Sequence, residues 1–372
     1  MTYLRMRQAI MLQLDRKFRS IMKNQIKSVC ILRLSALGDC INAFGLANAL
    51  QESNKDLDVH FVVDKRFSSL FVDERGNSLI SMETVDIKKL GVLKAGYQLY
   101  KNLKHTKFDA LFNLQTSIKA SILSLFIKAR LKYGYDSQRR REGQLLFINR
   151  QVKSPDNPHV LAGFLAFAKQ AGFEDLQPSW NYKLSDNELD TADKLINSGN
   201  KKIFAIAPAS AKKAKNWTVD GYSKLANYAI SKGFHVILLG SNSDYEKSLC
   251  DSINQNTNNK CVNLCGKTSL RILAAVINKA ALVLSPDSAA MHLASSLKVP
   301  VIGLFAIHNP DRVGAWNYRD LEVSVYKQVA TKELQGKTPG WRYRVHDENA
   351  MQQIQVDAVI DAFNNACEKY GI

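Results

Sequence analysis

Leu284-Ser-Pro-Asp-Ser-Ala-Ala-Met-His-Leu-Ala294, followed by Val299-Pro-Val-Ile-Gly-Leu-Phe305, reads as strand, tight turn, helix, turn and strand. Residues 281–284 form a short apolar run, too brief for a helix and suited to a buried strand. Pro286 ends it, and Asp287 or Ser288 caps the next helix, because a short side-chain oxygen there accepts a bond from an otherwise unpaired backbone N–H. A helix N-terminus at the end of a parallel strand presents N–H groups and a partial positive charge, which makes it an anion site. With Asp287 beside it, the turn suits a phosphate next to a hydroxyl-rich group. An ordinary capped helix of an α/β domain explains the same letters, so the rest of the chain has to separate the two readings.

The same strand-to-helix alternation extends in both directions. Residues 28–34 read as a strand, 35–39 (Ser-Ala-Leu-Gly-Asp) as a turn and 40–50 as a helix. Asp39 then serves either as a helix cap or as a base at the carboxyl end of the first strand, where ligands bind in open α/β sheets. Strands are expected at 58–63 and 108–114, and helices at 90–103, 118–129 and 160–172. Residues 173–200 read as the route into a second domain. There, strands at 202–207 and 234–239 alternate with helices at 218–231, 245–253 and 268–279, the last capped by Thr268. A final helix is expected from about 357 to 369. Two βα series in one chain imply two doubly wound parallel sheets facing each other across a cleft.

Composition supports this. A chain of 372 residues with 46% hydrophobic content is ordered and long enough for two domains. The six cysteines are scattered, with no second Cys pair or His near Cys261 and Cys265, so neither a zinc site nor an extracellular disulfide framework is expected. No secretory signal or membrane-spanning run is legible. Residues 4–24 place apolar side chains at roughly helical spacing among Arg5, Arg7, Arg16, Lys17, Arg19 and Lys23, a pattern that suits an anionic membrane surface or packing on the domain.

The net charge is +17, unevenly spread. Residues 1–150 hold 26 Lys and Arg against 13 Asp and Glu, so the first half is the one expected to meet an anionic partner. Its candidate contacts are Lys65, Arg66, Lys119, Arg139, Arg140 and Arg141, with Gln115 in the loop 113–119. Neither a Gly-rich dinucleotide fingerprint nor a phosphate-binding P-loop occurs, which weighs against a dehydrogenase or a nucleotide hydrolase of those classes. No helix-turn-helix or aromatic RNA-binding signature is visible, so no nucleic acid partner is expected, although a basic nucleic-acid-binding protein remains the alternative of a different class.

Three strand-end segments remain to carry chemistry: 35–39, Ala209-Ser-Ala-Lys-Lys-Ala-Lys-Asn-Trp217, and 287–292. A carboxylate, a flexible ammonium and a helix N-terminus suit group transfer from a nucleoside diphosphate. At this point the chain resembles the ADP-heptose:lipopolysaccharide heptosyltransferases of glycosyltransferase family 9. Five blocks carry the resemblance in order: Arg33-Leu-Ser-Ala-Leu-Gly-Asp39, Asn113-Leu-Gln-Thr-Ser-Ile-Lys119, Lys215-Asn-Trp217, the 287–305 stretch quoted first, and Asn309-Pro-Asp-Arg-Val-Gly-Ala-Trp316.

The resemblance implies an α/β GT-B fold. It implies an acceptor domain at 28–180, a donor domain at 181–350 and a terminal helix at 351–372, which leaves residues 1–27 as a basic extension ahead of them. It also implies inverting, metal-independent transfer of heptose from ADP-heptose to Kdo on lipid A, with no cofactor. Asp39 matches the base, Lys215 the lysine on the donor phosphates, and Asp287 the aspartate on the heptose hydroxyls. Ser288 and Ala289 match the helix start at the diphosphate, with Ser210 and His292 on the donor side. The residue pattern of His292 by itself fits a core or supporting histidine. Residues 209–217 and Trp341-Arg-Tyr-Arg344 look most like heptosyltransferase I, in the branch that prefers a phosphorylated Kdo. A transferase of another nucleotide sugar is the alternative within this fold. The implied location is cytoplasmic, peripheral on the inner membrane. Departures are Ala289 where the family has Gly, Asn113 where an acid is common, and the extension 1–27.

Overall fold

In the computed structural model the described residues are 26–78 and 80–372, so residues 1–25 of the basic extension lie outside them. The chain divides into two compact units between Asn181 and Tyr182.

The first unit is a six-stranded parallel sheet in the order β3-β2-β1-β4-β5-β6. Its strands are β1 Ser28–Leu32, β2 Asp58–Asp64, β3 Ser81–Val85, β4 Phe108–Asn113, β5 Ala129–Tyr135 and β6 Arg150–Val152. Val29 to Leu32 of β1 are buried, as a central parallel strand covered on both faces must be. The helix Leu37–Ser53 is buried from Cys40 to Leu50 and lies against the helix Val160–Gln170 and the Trp180 ring. A helix covered all round needs no polar face, which is why its sequence lacks amphipathic spacing. Phe44, Phe61 and Phe71 pack together on one side of the sheet, and Phe112, Tyr133 and Phe167 form a second aromatic cluster.

The second unit repeats the plan as β12-β11-β10-β7-β8-β9, again all parallel. Its strands are β7 Ile203–Ile206, β8 His235–Leu238, β9 Val262–Asn263, β10 Leu282–Pro286, β11 Val301–Phe305 and β12 Glu322–Ser324. The last helix, Val356–Tyr370, inserts Phe363 against Phe204 and Phe234, so the end of the chain belongs to this core. In each sheet the strand order reverses once, between β1 and β4 and between β7 and β10. The crevice beyond the carboxyl ends at such a point is where doubly wound sheets bind ligands.

Several elements differ from the sequence reading. The expected helix 118–129 stops at Leu123, continues as a tighter turn through Phe126, and gives way to β5 at Ala129. No Gly or Pro marks that reversal in the sequence. Residues 173–200, read as a connection, contain the helix Asp186–Ile196, opened by a capping box in which Ser185 and Glu188 bond each other's backbone N–H. The cap of the helix Leu270–Lys279 is Ser269, not Thr268. β3, β6, β9 and β12 are the edge strands, the last three only two or three residues long, and their patterns are too weak to stand out.

Gly45 sits in the middle of the helix Leu37–Ser53 because a Cβ there would lie 2.5 Å from Cε2 of Trp180, whose Nε1 donates to Ile41 O at 2.7 Å. Gly45→Val is expected to lower stability by about 1–3 kcal/mol through overpacking, measured as the shift in urea midpoint. An unchanged midpoint would contradict the close packing described here.

Candidate functional site

Each unit places a carboxylate at the reversal point of its sheet, and each carboxylate is held by a cation.

In the first unit the chain leaves β1 through Arg33 to Ala36 and enters the helix Leu37–Ser53. Asp39 lies in the first turn of that helix and is not its cap, because the cap position is Ala36, which offers no side-chain bond. Instead Arg33 Nη2 donates to Asp39 Oδ2. Arg33 Nη1 donates to Leu114 O at 2.5 Å, just beyond β4, and the guanidinium lies over the Phe164 ring at 5.5 Å. Burial pulls the Arg33 pKa down, but the Asp39 carboxylate bonded to it outweighs that and raises it, so the guanidinium stays charged. Asp39 Oδ1 makes no hydrogen bond among the described residues, and the side chain is 32% exposed, so one oxygen faces solvent.

Gln115 is committed to the same loop. Its Oε1 accepts from Leu34 N and Ser35 N at 2.8 and 3.2 Å, and its Nε2 donates to Ser35 Oγ and Ser117 Oγ. Gln144 in turn holds the carbonyls of Asn113 and Gln115. Asn113, the position where an acid was expected, is buried under this network.

The basic candidates all follow carboxyl ends of strands: Lys65 and Arg66 after β2, Lys119 after β4, and Arg139, Arg140 and Arg141 after β5. They differ in availability. Lys65, Lys119 and Arg141 are exposed and Arg140 is half-buried. Arg66 pairs with Asp64 through Nε and Nη2 at 2.9 and 2.8 Å. Arg139 is only 5% exposed and its Nη1 occupies the space where a Cβ on Gly163 would fall, so it is not the solvated surface residue that its neighbours suggest.

In the second unit three strand ends converge on Asp287, the residue after β10. Lys215, in the turn that follows β7, donates from Nζ to Asp287 O at 2.6 Å and to Asp287 Oδ2 at 3.1 Å. His308, beyond β11, donates from Nδ1 to the same Oδ2 at 2.6 Å. Burial pushes the Asp287 carboxyl up, but the His308 hydrogen bond and the charges of Lys215, His308 and His292 hold it well below the usual carboxylate range. Oδ1 makes no hydrogen bond among the described residues and is available to a ligand. A small cavity at this cluster is lined by Lys215, Asp287, His308, Met351 and residues 304–307.

Ser288, not Asp287, caps the helix Ala289–Ser296: its Oγ accepts from Ala290 N at 3.2 Å and shares a 2.7 Å hydrogen bond with Ser285. This releases Asp287 from the capping role. Ala289 is the first helical residue and has no positive φ, so its Cβ costs the backbone nothing where glycine was expected. His292 lies half-buried on this helix. Ser210 is a loop organiser, its N donating to Asn216 Oδ1 at 2.8 Å and its Oγ to Lys212 O at 2.9 Å.

Trp217 is a packing anchor with Nε1 donating to Ile354 O. Arg344 pairs with His308 in an antiparallel bridge, which brings the Trp341–Arg344 motif to the donor-side histidine. Arg33 and His308 are the contacts that sequence reading did not single out. The first stood in plain view inside the Arg33–Asp39 block, and the second is one more polar residue just past a strand end.

Among the described residues no three His, Cys, Asp or Glu side chains cluster as a metal site requires. A separate cavity of about 650 Å³, lined by Gln51, Asp58 and Ser81 among others, opens at the amino ends of β2 and β3, the edge opposite Asp39.

The sequence model of glycosyltransferase family 9 (heptosyltransferase) matches residues 97–341. The lipopolysaccharide core heptosyltransferase OpsX of Haemophilus influenzae is 40% identical over 337 residues, covering 90% of this chain and 95% of that protein. The chain belongs to glycosyltransferase family 9. Solved structures agree at the level of fold. A family 9 glycosyltransferase from Veillonella parvula superposes with a TM-score of 0.74 at 18% identity, covering 92% of this chain and 97% of that one. Escherichia coli heptosyltransferase WaaC, solved with ADP, gives 0.69 at 18% identity, covering 91% and 99%. The two Rossmann-like units are thus those of a GT-B heptosyltransferase chain.

The Asp287 pairing has a pH signature. An unfolded Asp titrates near about 3.9, and the folded carboxyl titrates lower. Its stabilising contribution is therefore complete above the unfolded value and is lost as pH falls through the folded one. Asp287→Asn is expected to be less stable than wild type at neutral pH, with the gap in urea midpoint closing from about pH 5 downward. A gap that widens on acidification would contradict the pairing.

Proposed function

We propose that this heptosyltransferase acts in lipopolysaccharide inner-core biosynthesis, transferring L-glycero-D-manno-heptose from ADP-heptose to Kdo of Kdo–lipid A with inversion and without a metal ion. The observation that carries the reading is the Lys215–Asp287–His308 cluster at the reversal point of the second sheet, beside the N-terminus of the helix Ala289–Ser296. Asp287 Oδ1 accepts a heptose hydroxyl. Lys215 has spent two of its donors on Asp287 and turns the third toward the diphosphate. The backbone N–H groups at the start of that helix add their partial positive charge as the leaving ADP gains negative charge. Lysine and helix amides together perform the neutralisation that a divalent ion performs elsewhere.

In the first unit Asp39 Oδ1 accepts the proton of the Kdo hydroxyl as its oxygen attacks the anomeric carbon and the carbon–oxygen bond to ADP breaks. Arg33 fixes the orientation of the carboxylate through Oδ2. Lys65, Lys119, Arg140 and Arg141 are the cations that receive the acidic acceptor. The 40% identity to a lipopolysaccharide core heptosyltransferase supports the substrate class. Heptosyltransferase I, with a phosphorylated Kdo, is the branch we favour, on the resemblance carried by residues 209–217 and Trp341–Arg344. No helix among the described residues is long and apolar enough to cross a membrane; the lipid-anchored acceptor is what places the enzyme, in this reading, on the cytoplasmic face of the inner membrane.

The test is turnover of ADP-heptose and Kdo–lipid A in the presence of EDTA, read by mass spectrometry. Asp39→Asn is expected to lower kcat by about 10²–10⁴-fold, the usual contribution of a general base, while ADP-heptose binding persists. Lys215→Ala is expected to weaken ADP-heptose binding by about tenfold or more, the loss of roughly 1.4 kcal/mol or more. Wild-type turnover in Asp39→Asn would remove it as the base, and abolition by EDTA would overturn metal independence.

A further inference from the structure

Past a break at Gly91, the helical segment that ends at Asn102 has two apolar faces, and among the described residues one of them packs on the first unit. Ala95, Gly96 and Leu99 are buried against the first unit. On the other side Leu93 and Tyr97 stand 65% and 54% exposed, with Tyr100 next along the same stripe at spacing i, i+4, i+7. The neighbouring elements continue this surface. A Cβ on Gly96 would lie 2.4 Å from the Phe126 ring, so the turn Ser124–Phe126 touches the helix and carries Leu125, 60% exposed, outward. The helix Ile118–Leu123 contacts both that helix and the turn Gln144–Phe147, where Leu146 is 85% exposed beside Leu145. Among the described residues the exposed large apolar side chains are these, Ile118 and one tyrosine of the second unit. A monomer rarely leaves so many together in water without a partner.

The charge around the surface identifies that partner. Lys101 lies over the Tyr97 ring at 4.7 Å. Lys128 lies over Tyr100 at 5.1 Å and bonds Lys104 O, which ties the rim to the helix. Lys88, Lys89, Lys94, Lys104 and Lys119, on or next to the same elements, are exposed as well. From Ile87 to Tyr135 the only acid is Asp109, and its Oδ2 accepts the N–H groups of Lys27 and Ser28 at the amino edge of the sheet. The nearest acid to Ile118, Glu142, is bonded to its N–H.

The acids at the margin of this surface, Glu83, Asp86 and Glu142, are each engaged, with Asn102, the helix start and the Ile118 N–H. Leucines and tyrosines ringed by lysines match the chemistry of a bilayer interface. There apolar side chains enter the acyl boundary, tyrosine sits at headgroup level, and lysine meets lipid phosphate. The same charge disfavours the other occupants. A second copy would bring lysines against lysines, and residues 1–25 are themselves basic.

We propose that the surface formed by the helix Ile87–Asn102, residues 118–126 and the turn Gln144–Phe147 is the docking face for an anionic lipid bilayer. The loop 114–117 leads directly into Ile118, and its Gln115 bonds Ser35 in the Asp39 loop. The docked membrane therefore lies beside the acceptor half of the site, a consequence that rests on the function proposed above. The docking itself does not.

The full-length protein is mixed with sedimentable vesicles of phosphatidylethanolamine and phosphatidylglycerol that contain no lipopolysaccharide, and with vesicles of phosphatidylcholine alone. Binding is expected to the anionic vesicles only and to weaken with salt. Leu93→Ser with Tyr97→Ser and Leu146→Ser, and separately Lys94→Glu with Lys101→Glu, are each expected to weaken it at least about tenfold. Because these side chains are exposed, both variants should keep the wild-type melting temperature and the wild-type rate on a soluble, deacylated acceptor. Equal binding to phosphatidylcholine overturns the proposal, as does wild-type vesicle binding by the variants. Self-association of the wild type that the apolar variant abolishes overturns it in favour of a dimer face. If the wild type fails to turn over the soluble acceptor while vesicle binding behaves as expected, the functional reading falls and the docking face stands.

Discussion

The ion pair between Lys215 and Asp287, completed by the hydrogen bond from His308, is the contact on which the second unit's chemistry rests. A carboxylate taken out of water must be paired, or it costs several kcal/mol. Here the carboxylate and its two partners come from three places in the sequence, beyond β10, β7 and β11, which the parallel sheet sets side by side. Satisfying one buried oxygen thus fixes the relative positions of three loops. The cap of the helix Ala289–Ser296 is delegated to Ser288, so Asp287 is not consumed by local structure. What results is a rigid carboxylate with one oxygen bound by the protein and one left for a ligand.

The first unit solves a parallel problem with other residues. Arg33 is mostly buried, is held by Leu114 O and Phe164, and orients Asp39, whose second oxygen faces solvent. Its supports, Gln115 and Gln144, stitch the ends of β1, β4 and β5 together. Beside this ordered polar edge lies the apolar, lysine-rimmed outer face of the helix Ile87–Asn102. An ordered carboxylate, Asp39, in the same unit as a surface of that kind is what an active site needs if its acceptor is anchored in lipid.

Much of this was legible in the sequence, and unevenly so. The central strands were, because strands buried on both faces are short unbroken apolar runs between turn signals. The edge strands and β5 were not. Ala129–Tyr135 alternates lysine and arginine with apolar residues behind a helix that ends without Gly or Pro. Asp39, Lys215 and Asp287 stand out as candidates from strand-end position and family resemblance together. Their partners Arg33 and His308 were not singled out, because an ion pair between separate loops leaves no periodic trace. Gln115 and Ser210 stood out as polar residues at strand ends, and the structure shows both engaged in holding their own loops. Arg139 sits in a basic run, where only packing against Gly163 distinguishes a buried guanidinium from solvated neighbours.

The central claim is that the nucleotide sugar is held at the reversal point of the second sheet. A crystal structure of the protein with ADP-heptose, or with a non-transferable analogue, tests it most directly. The account predicts the diphosphate within hydrogen-bonding distance of Lys215 Nζ and of the first N–H groups of the helix Ala289–Ser296, with a heptose hydroxyl on Asp287 Oδ1. A diphosphate bound away from Lys215, with the Asp287 cluster unchanged and untouched, would contradict it.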